Sequence, residues 1–562
     1  MAPYPRTFVD AHLEVKGWDE LAPYYRELSE APIASAGDLS IWLARWSELK
    51  GVADEFVTRR YVDMTCHTDD PAKKEAYLMC VREVEPKLTE WEDRLNRRYL
   101  DSSARPGLDK AIYGQMDRMI KTSVELFDER NIPLQVVLQE LSQKYQETMG
   151  AMTVVFDGAE RTMPQMGAFL REPDRALRER AFRATVERRL KEKDALEDLF
   201  DQMLEKRAEF AANLKLADYR EYCFKGKLRD YSPEDCLKFH EAIEKTAVPL
   251  MRRINERRKS EMGVETLCPW DTACDPKGRP PLKPFSKAEE LFNGVAGVFG
   301  SVNGRLGELF SSIGFSMDLE SRKGKAPGGY QTTLSEARIP FIFTNAVGLQ
   351  DDVNTLLHEG GHAFHTLMSR DNPIIWNRHS AMEFAEVASM SMELLGGDHL
   401  EPFYASAENR RRAKEERLEG VVSIFPWVAQ VDAFQHWIYT HPGHGRDDRR
   451  KAWVELSERF NTGVDWSQAP AEALDYSWHR QLHIFEVPFY YIEYAVAQLG
   501  ALQVYRNYGV NQADAVEKYL AALALGGSRP APELFEAAGA RFDFDAGLLG
   551  GLMDIVAKEL GI

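Results

Sequence analysis

The chain is poor in cysteine and has no long hydrophobic run. Six cysteines among 562 residues are too few to suggest a disulfide framework, and the closest pair, Cys268 and Cys274, fits neither a zinc knuckle nor a redox motif. We therefore expect reduced thiols, as in a cytoplasmic protein. No stretch approaches the ~18 apolar residues that a membrane-spanning helix needs, and Met1–Arg6 shows no apolar signal segment. The sequence predicts neither a membrane protein nor a secreted one.

Positive charge is also scarce. Lysine and arginine number 71 against 89 aspartates and glutamates, which gives a formal net charge of −18. A nucleic-acid partner is therefore not expected, because phosphate-binding surfaces show a basic excess. The local basic runs at 252–259 and 409–412 fit solvated helix faces better. No proline-rich or serine-rich linker and no internal repeat divides the chain, which favours two closely packed subdomains.

Hydrophobic spacing predicts a mainly α fold. Amphipathic segments rich in Glu, Arg, Leu and Ala extend from about residue 13 to residue 150, and long helical stretches follow at 174–218 and 233–262. A group of prolines between Pro269 and Pro284 then marks a loop. The C-terminal third returns to helices.

Two short β regions interrupt this pattern. Asp157 and Gly158 give the signal of a tight two-residue turn, which predicts a hairpin near 153–162. A second β region is expected between about 327 and 346. On this basis we divide the chain into a helical N-terminal region, 1–200, and a region 201–562 that carries the candidate site.

The most informative segment extends from His358 to His362. In a helix, His358 and His362 lie four residues apart on one face, with Glu359 beside them as a proton acceptor, which is the ligand geometry of a zinc hydrolase. Chance alone would produce His-Glu-x-x-His in on the order of 3 such chains per 100. The flanking residues are strongly apolar, so the helix should be buried, whereas two solvated histidines would sit on a surface helix.

Two consecutive glycines lie inside this helix. Gly360 and Gly361 each cost the helix roughly 1 kcal/mol relative to alanine. Such a cost is understandable where another element comes close. Tight packing against a second helix and close approach of a substrate are equally good interpretations.

A catalytic zinc ion uses three protein ligands and keeps a fourth position open, so a third side chain must be found. Glu386 is the best candidate. It lies in a helix-forming segment after the break at Asp371–Pro373, 28 residues after the first histidine, which is long enough for one loop and one returning helix. Glu383 and Glu393 remain alternatives. His365 is interpreted as a packing residue or a partner of a ligand.

These segments resemble the thimet-oligopeptidase and oligoendopeptidase F family of zinc peptidases, and the chain length and tyrosine segment favour the oligoendopeptidase F branch. The segments that carry the resemblance are Pro340–Asn345, Asp351–Val353, His358–His362 and Phe384–Ser389. Two further stretches resemble parts of the same family. These are Lys325–Tyr330, which precedes its active-site strand, and His483–Tyr494, which matches its substrate segment of histidine and tyrosines.

The resemblance implies a zinc-dependent endopeptidase that hydrolyses short, unstructured peptides, with one zinc ion per chain. It implies metal ligands at His358, His362 and Glu386, a general base at Glu359, oxyanion donors at His483 and Tyr494, and substrate contacts at Tyr490, Tyr491, Gly328 and Gly329. It also implies two packed helical halves around a deep substrate channel, with the small β region beside the zinc helix. That β region is suited to bind an extended peptide as an added strand.

Three alternatives stay open at the level of the sequence. The tyrosine cluster fits a helix face packed in a core, as aromatic runs often do, and Tyr490 or Tyr491 could replace Tyr494 as the oxyanion donor. The zinc motif alone also permits a metal-dependent hydrolase of a non-peptide amide. A non-enzymatic peptide-binding protein of the same fold is the third. The sequence gives no indication of oligomeric state.

Overall fold

The computed structural model describes residues 4–326 and 328–562, and most of them are helical, as the hydrophobic spacing predicts. Two compact units are present, and neither is continuous in sequence. Unit 1 comprises Met1–Glu125, Leu282–Lys414 and Gly500–Phe542, and unit 2 comprises Leu126–Pro281, Glu415–Leu499 and Asp543–Ile562. The boundary expected at residue 200 lies within a helix of unit 2. Pro327, in the Lys325–Tyr330 stretch, and Met1–Pro3 lie outside the described residues.

In chain order, the helices of the first third are α1 Trp18–Glu30, α2 Ala36–Cys66, α3 Pro71–Met79, α4 Glu85–Leu100, α5 Lys110–Glu125, α6 Asn131–Gly150, α7 Met163–Phe169 and α8 Arg175–Leu190. Those of the middle are α9 Lys193–Asn213, α10 Tyr219–Gly226, α11 Pro233–Lys245, α12 Ala247–Met262, α13 Ala288–Val302, α14 Gly304–Ser311, α15 Gln350–Ser369 and α16 Met382–Gly396. The last are α17 Ala407–Thr440, α18 Arg446–Arg459, α19 Leu482–Glu486, α20 Ile492–Val510, α21 Gln512–Leu525, α22 Ala531–Ala537 and α23 Ala546–Leu560.

The expected long helices are present but shorter. The stretch predicted at 174–218 is two helices, α8 and α9, and the stretch at 233–262 is also two, since α11 ends where Thr246 leaves helical geometry at φ −126°. Hydrophobic periodicity continues across such breaks, so it does not locate them.

The predicted hairpin is present in unit 2. Strands β1 (Thr153–Phe156) and β2 (Ala159–Thr162) pair antiparallel, with Phe156 opposite Ala159. Asp157 and Gly158 form the turn with φ of 48° and 78°. Positive φ at both central residues is the geometry that matches the twist of the strands, and Asp-Gly adopts it at low cost.

A three-stranded sheet lies beside α15 in unit 1. Its strands are β3 (Met317–Glu320), β4 (Tyr330–Leu334) and β5 (Ile339–Ala346), in the order β3-β5-β4. Strands β4 and β5 form the predicted β region and pair antiparallel, whereas β3 pairs parallel to β5. The sequence analysis missed β3, a strand of only four residues. Strand β4 is an edge of this sheet.

Helices α15 and α16 pack with their backbones in direct contact. A Cβ atom added at Gly361 would lie 2.5 Å from both the Ala388 carbonyl oxygen and the Ser389 Cα. A Cβ at Gly360 would lie 2.6 Å from the ring of Phe299. Both glycines are therefore required by packing, and at Gly361 the neighbour is backbone, which has little freedom to retreat.

Each unit has its own aromatic core. In unit 1 the core includes Trp42, Trp46 and Trp376, and in unit 2 it includes Trp453 and Trp478. All six cysteines are buried free thiols, as expected. Of the helices that the structure describes, none combines the length and apolarity needed to span a bilayer.

Replacing Gly361 by alanine should destabilise unit 1, because the methyl group meets backbone at 2.5 Å. Overpacking of this kind costs about 1–3 kcal/mol. Gly114 in α5 is a matched control, since a Cβ there meets nothing within 4 Å and alanine should be neutral or stabilising by up to ~1 kcal/mol. Thermal unfolding of Gly361→Ala and Gly114→Ala measures the difference. Equal melting temperatures would show that α15 and α16 can separate without cost.

Candidate active site

Helix α15 begins at a carboxylate cap. Asp352 Oδ2 accepts hydrogen bonds from the backbone N–H groups of Val347, Gly348 and Leu349 at 2.8–2.9 Å. These bonds orient the loop that follows β5 and set the helical phase of the residues after it. Because of that phase, His358 and His362 lie on the side of α15 that packs against α16.

Glu386 of α16 lies between the two histidines. Its Oε2 atom is 3.4 Å from His358 Nε2 and 3.7 Å from His362 Nε2. The potential ligand atoms of the three residues all lie within 4.8 Å of one another, which is compatible with coordination of a single ion. Of the two alternative glutamates, Glu383 is buried on the same helix but is not part of this group in the described chain.

The remaining ring nitrogens of the histidines have partners of their own. His358 Nδ1 lies 2.7 Å from Glu393 Oε1, and His362 forms a hydrogen bond with the Ala385 backbone carbonyl. Such partners fix ring orientation and tautomer, as they do for histidines that bind metals. Glu393, the other alternative ligand, therefore contacts Nδ1 of His358, whereas Nε2 of the same ring faces Glu386. Sequence spacing cannot separate these two roles, because both glutamates project from α16.

The charges of this group favour a cation. Burial acts to raise the pKa of Glu386, but His358 and His362 lower it to about 2, so the carboxyl is ionised. Burial lowers the pKa of His362 to about 4, so this ring is neutral near pH 7. The pKa of His358 is raised well above its ordinary value because Glu386 and Glu393 outweigh the effect of burial. The carboxyl groups of Glu386 and Glu393 thus favour positive charge at this site.

Glu359 follows His358 on α15 and is buried. Its side chain is 7% exposed, and burial raises its pKa to about 7, against the opposing effect of His358. The backbone N–H of Gln331, on the edge strand β4, donates to its carboxylate. A carboxyl group with this pKa can both accept and release a proton near neutral pH.

The other side chains predicted near this group have structural surroundings. His365 is buried, with its ring edge-on to Phe384 at 6.2 Å, which agrees with a packing role. Gly328 and Gly329 lead into β4. Gly328 adopts φ 95°, and its carbonyl oxygen accepts from Asn345 Nδ2 at 2.8 Å, which ties this loop to β5.

The predicted substrate segment lies in unit 2, around α19. His483 Nδ1 is 2.7 Å from Gln481 Nε2, and the Gln481 Oε1 atom accepts from Trp427 Nε1 at 3.1 Å. Because Trp427 can only donate, the amide of Gln481 is oriented with its N–H toward His483. His483 Nδ1 must then accept, which places the proton of the neutral ring on Nε2. Burial lowers the pKa of His483 to about 4, so this tautomer persists near neutrality.

Three tyrosines surround this histidine. The ring centroids of Tyr490, Tyr491 and Tyr494 lie 5.7, 4.8 and 6.0 Å from that of His483. All three are partly buried, and Tyr491 packs against the aromatic core of unit 2. The ammonium of Lys227 lies 4.7 Å from the centre of the Tyr490 ring. The resemblance alone pointed to this cluster, and the role of Gln481 gave no sequence signal.

Comparison with known protein families gives matches over most of the chain. The model of peptidase family M3 matches residues 168–305 and 311–553, and that of the peptidase M3 N-terminal domain matches residues 8–127. Together they cover more than half of the chain. The matched ranges include the helices α15 and α16 and the segment around His483.

Similar proteins of known sequence or structure carry peptidase names. The chain is 23% identical to the group B oligopeptidase PepB of Streptococcus agalactiae over 308 residues, 53% of this chain and 49% of that protein. It spans about half the length of the curated relatives it matches. A solved structure of PZ peptidase A with an inhibitor has a TM-score of 0.89, 26% identity and 99% coverage of both chains. That of a putative oligoendopeptidase F has a TM-score of 0.88 and 26% identity, covering 99% of this chain and 98% of that one. The chain belongs to peptidase family M3.

Proposed function

We propose that this protein is a zinc-dependent endopeptidase that hydrolyses short, unstructured oligopeptides, with one zinc ion in its catalytic site. The observation that carries the proposal is the group formed by His358, His362 and Glu386, with Glu359 beside it. Family membership implies a metal, and the names of the relatives point to oligopeptides as substrates.

The donor set fits zinc. Two imidazoles and one carboxylate are the ligands of many catalytic zinc sites, which keep a further position for water or substrate. The Nε2–Oε2 distances of 3.4 and 3.7 Å are long for hydrogen bonds but suit two ligands of one ion. Zinc, when bound, supplies Lewis acidity to the substrate carbonyl and to the attacking water.

Glu359 acts as the general base in this proposal. It accepts a proton from the water that attacks the peptide carbonyl and passes a proton to the leaving amine. Its pKa of about 7 suits both transfers. Gln331 N–H holds the carboxylate in place, so the base is oriented before substrate arrives.

Strand β4 offers a binding mode for extended peptides. It is an edge strand, and it is tied to α15 through Thr333 and Thr366, whose hydroxyl oxygens lie 2.8 Å apart. A peptide that adds to a sheet edge is held by main-chain hydrogen bonds, which tolerate many side chains. Substrate length and cleavage preference follow from contacts beyond this strand.

His483 and Tyr494 are proposed to stabilise the oxyanion, with Tyr490 and Tyr491 contacting the substrate. Gln481 supports this role for His483, because its amide leaves the Nε2–H as a donor that does not depend on protonation of the ring. Neutral donors aimed at developing negative charge are the usual means of stabilising such an intermediate. Gly328 and Gly329 are proposed to line the substrate site at the start of β4.

A direct test of the function is digestion of a defined peptide mixture by the purified protein, with products mapped by mass spectrometry. Internal cleavage of short peptides, abolished by a chelator and restored by Zn²⁺, is the expected result. Hydrolysis confined to terminal residues, or no hydrolysis by metal-loaded protein, would contradict the proposal.

Glu359→Gln should retain zinc and lose nearly all turnover. The amide cannot accept a proton from water, whereas the three ligands are unchanged. Metal content and hydrolysis of an internally quenched peptide should therefore separate in this variant. Glu308→Gln, at an exposed position of α14, is the control and should keep both. Near-normal turnover in Glu359→Gln would remove the general-base role.

The three glutamates of α16 should rank by metal affinity. Glu386→Ala leaves two ligands and should lose both metal and activity. Glu393→Ala removes the partner of His358 Nδ1 and should weaken binding about 10–100-fold, while Glu383→Ala should retain the most metal. Competition with a chelator measures the order. If Glu383→Ala loses its metal and Glu386→Ala keeps it, the third ligand is misassigned.

Tyr494→Phe and His483→Ala should each lower kcat by roughly 10²–10³ with little change in KM or zinc content. Tyr494→Phe removes only a hydroxyl group and preserves the ring contacts with His483. Tyr222→Phe, in α10 of the same unit, serves as control. Wild-type kcat in Tyr494→Phe would transfer the role to Tyr490 or Tyr491, whose Phe variants are measured alongside.

A further inference from the structure

A second group of metal-ligand side chains lies inside unit 2. Cys236 and His240 are four residues apart on α11, and Asp432 and His436 are four residues apart on α17. Each pair therefore shares one face of its helix, and the two faces meet. All four side chains are buried, with His240 and Asp432 fully inaccessible.

The ligand atoms of Cys236, Asp432 and His436 all lie within 4.8 Å of one another. In the described chain, the only other group that meets this criterion is His358, His362 and Glu386. His436 Nε2 is 3.3 Å from Asp432 Oδ2, comparable with the 3.4 Å between His358 Nε2 and Glu386 Oε2. The two groups thus have similar geometry, but only the one in unit 2 contains a cysteine.

Two polar atoms of this group, Asp432 Oδ1 and His240 Nδ1, lack hydrogen bonds within the described part of the chain. His436 Nε2 makes only the long contact with Asp432 Oδ2. A buried polar atom left without a partner costs about 1–3 kcal/mol. A cation bound to Asp432 and His436 would give Oδ1 a partner and would replace the long contact of Nε2.

The surroundings exclude water from the group. The ring of His436 lies 5.2 Å from that of Phe489 and 6.0 Å from that of Phe224, and the ring of His240 lies 6.4 Å from that of Phe460. An ionised carboxylate in such a place must be paired or bound to a metal. Asp432 Oδ2 lies 2.8 Å from His240 Nε2 and 3.3 Å from His436 Nε2, whereas Oδ1 has no partner among the described residues.

We propose that Cys236, Asp432 and His436 bind a second metal ion, Zn²⁺ or a similar transition-metal ion, and that His240 holds the Asp432 carboxylate in position. A thiolate and an imidazole select such ions over Mg²⁺ and Ca²⁺. His240 Nε2 lies 2.8 Å from Asp432 Oδ2, the type of contact that orients a ligand from behind.

Arg220 contacts the other ring nitrogen of His436 and would have to change partner on metal binding. Its guanidinium lies 3.4 Å from His436 Nδ1, longer than an ordinary N–H hydrogen bond, and its other terminal nitrogen faces Asp218 at 3.6 Å. When Nε2 binds the metal, Nδ1 carries the proton. Because a guanidinium can only donate, Arg220 would then give up its contact with Nδ1 and pair with Asp218 alone.

The role of this ion is structural. It would join α11 to α17 next to Phe489. The backbone N–H of Phe489 donates to Gln435 Oε1 at 2.7 Å, and the residue adopts φ 61°. That conformation is costly for a residue with a Cβ atom. Phe489 immediately precedes Tyr490 in the candidate substrate segment, so the second site would stabilise the base of that segment.

The first test counts metal ions per chain in intact protein dialysed against a weak chelator. Wild type should hold two ions. Cys236→Ala should hold one ion and largely retain peptide hydrolysis, whereas Glu386→Ala should hold one ion and lose hydrolysis. The double variant should hold almost no metal. Cys223→Ala, at another buried cysteine of unit 2, is the control and should hold two. Cys236→Ala should also melt at a lower temperature than Cys223→Ala.

The second test reads the cysteine directly. Protein loaded with Co²⁺ should show a near-ultraviolet charge-transfer band from the thiolate, because the catalytic group has no sulfur ligand. The band should persist in Glu386→Ala and disappear in Cys236→Ala. His240→Ala should retain the band with an altered d–d spectrum and bind Co²⁺ about 10–100-fold more weakly.

The outcomes separate the two sites. One ion in wild type, unaffected by Cys236→Ala and lost in Glu386→Ala, with no charge-transfer band, would overturn the second site and leave the catalytic proposal intact. One ion in wild type, lost only in Cys236→Ala, would support the second site and contradict the proposed catalytic site. If Cys236→Ala does not fold, the spectrum of wild-type protein decides alone, since an absent band rejects a thiolate ligand.

Discussion

The contact between α15 and α16 at Gly361 is the constraint on which the candidate catalytic group depends. Without a side chain at this position, the backbone of α15 reaches the Ala388 carbonyl and Ser389 of α16. That separation allows Glu386, less than one turn earlier on α16, to reach the space between His358 and His362. The Tyr519 hydroxyl donates to the same Ala388 carbonyl at 2.9 Å. A helix of unit 1 from far along the chain thus holds α16 against α15.

Burial sets the chemistry of the side chains that this contact brings together. In water, Glu359 and Glu386 would titrate alike, yet in the folded protein one pKa rises to about 7 and the other falls to about 2. Desolvation acts on both, and only Glu386 lies between two imidazoles that offset it. Two carboxylates of one helix pair thereby acquire different tasks, one as a permanent anion and the other as a proton carrier.

Much of the site could be predicted from the sequence because several of its residues lie close together in the chain. The spacing of His358 and His362 on one helix is enough to place two imidazoles together, and the apolar flanks indicate that the helix is buried. Glu386 and Glu393 lie about two turns apart on one face of α16, so the choice between them depends on how far α16 is shifted along α15, which only tertiary packing determines. The same holds for Gln481, because its effect on His483 requires Trp427, which lies 54 residues earlier in the chain.

The parts that could not be predicted depend on distant pairings. Strand β3 alternates apolar and polar residues, but over only four positions, and it is defined as a strand by its pairing with β5. The cysteine and histidine of α11 have no recognisable spacing motif on their own, since their partners on α17 lie about 190 residues away. The break between α11 and α12 at Thr246 is likewise invisible to periodicity.

The discontinuity of the two units has a consequence for biosynthesis. Unit 1 requires Gly500–Phe542, and unit 2 requires Asp543–Ile562, so neither unit can be completed during synthesis before these late segments have been translated. The aromatic core around Trp42 and Trp46 must wait for Trp376, translated more than 300 residues later. Early segments therefore remain exposed during synthesis for longer than in a protein of successive domains, and the chain should depend on chaperones that protect unfolded helical segments.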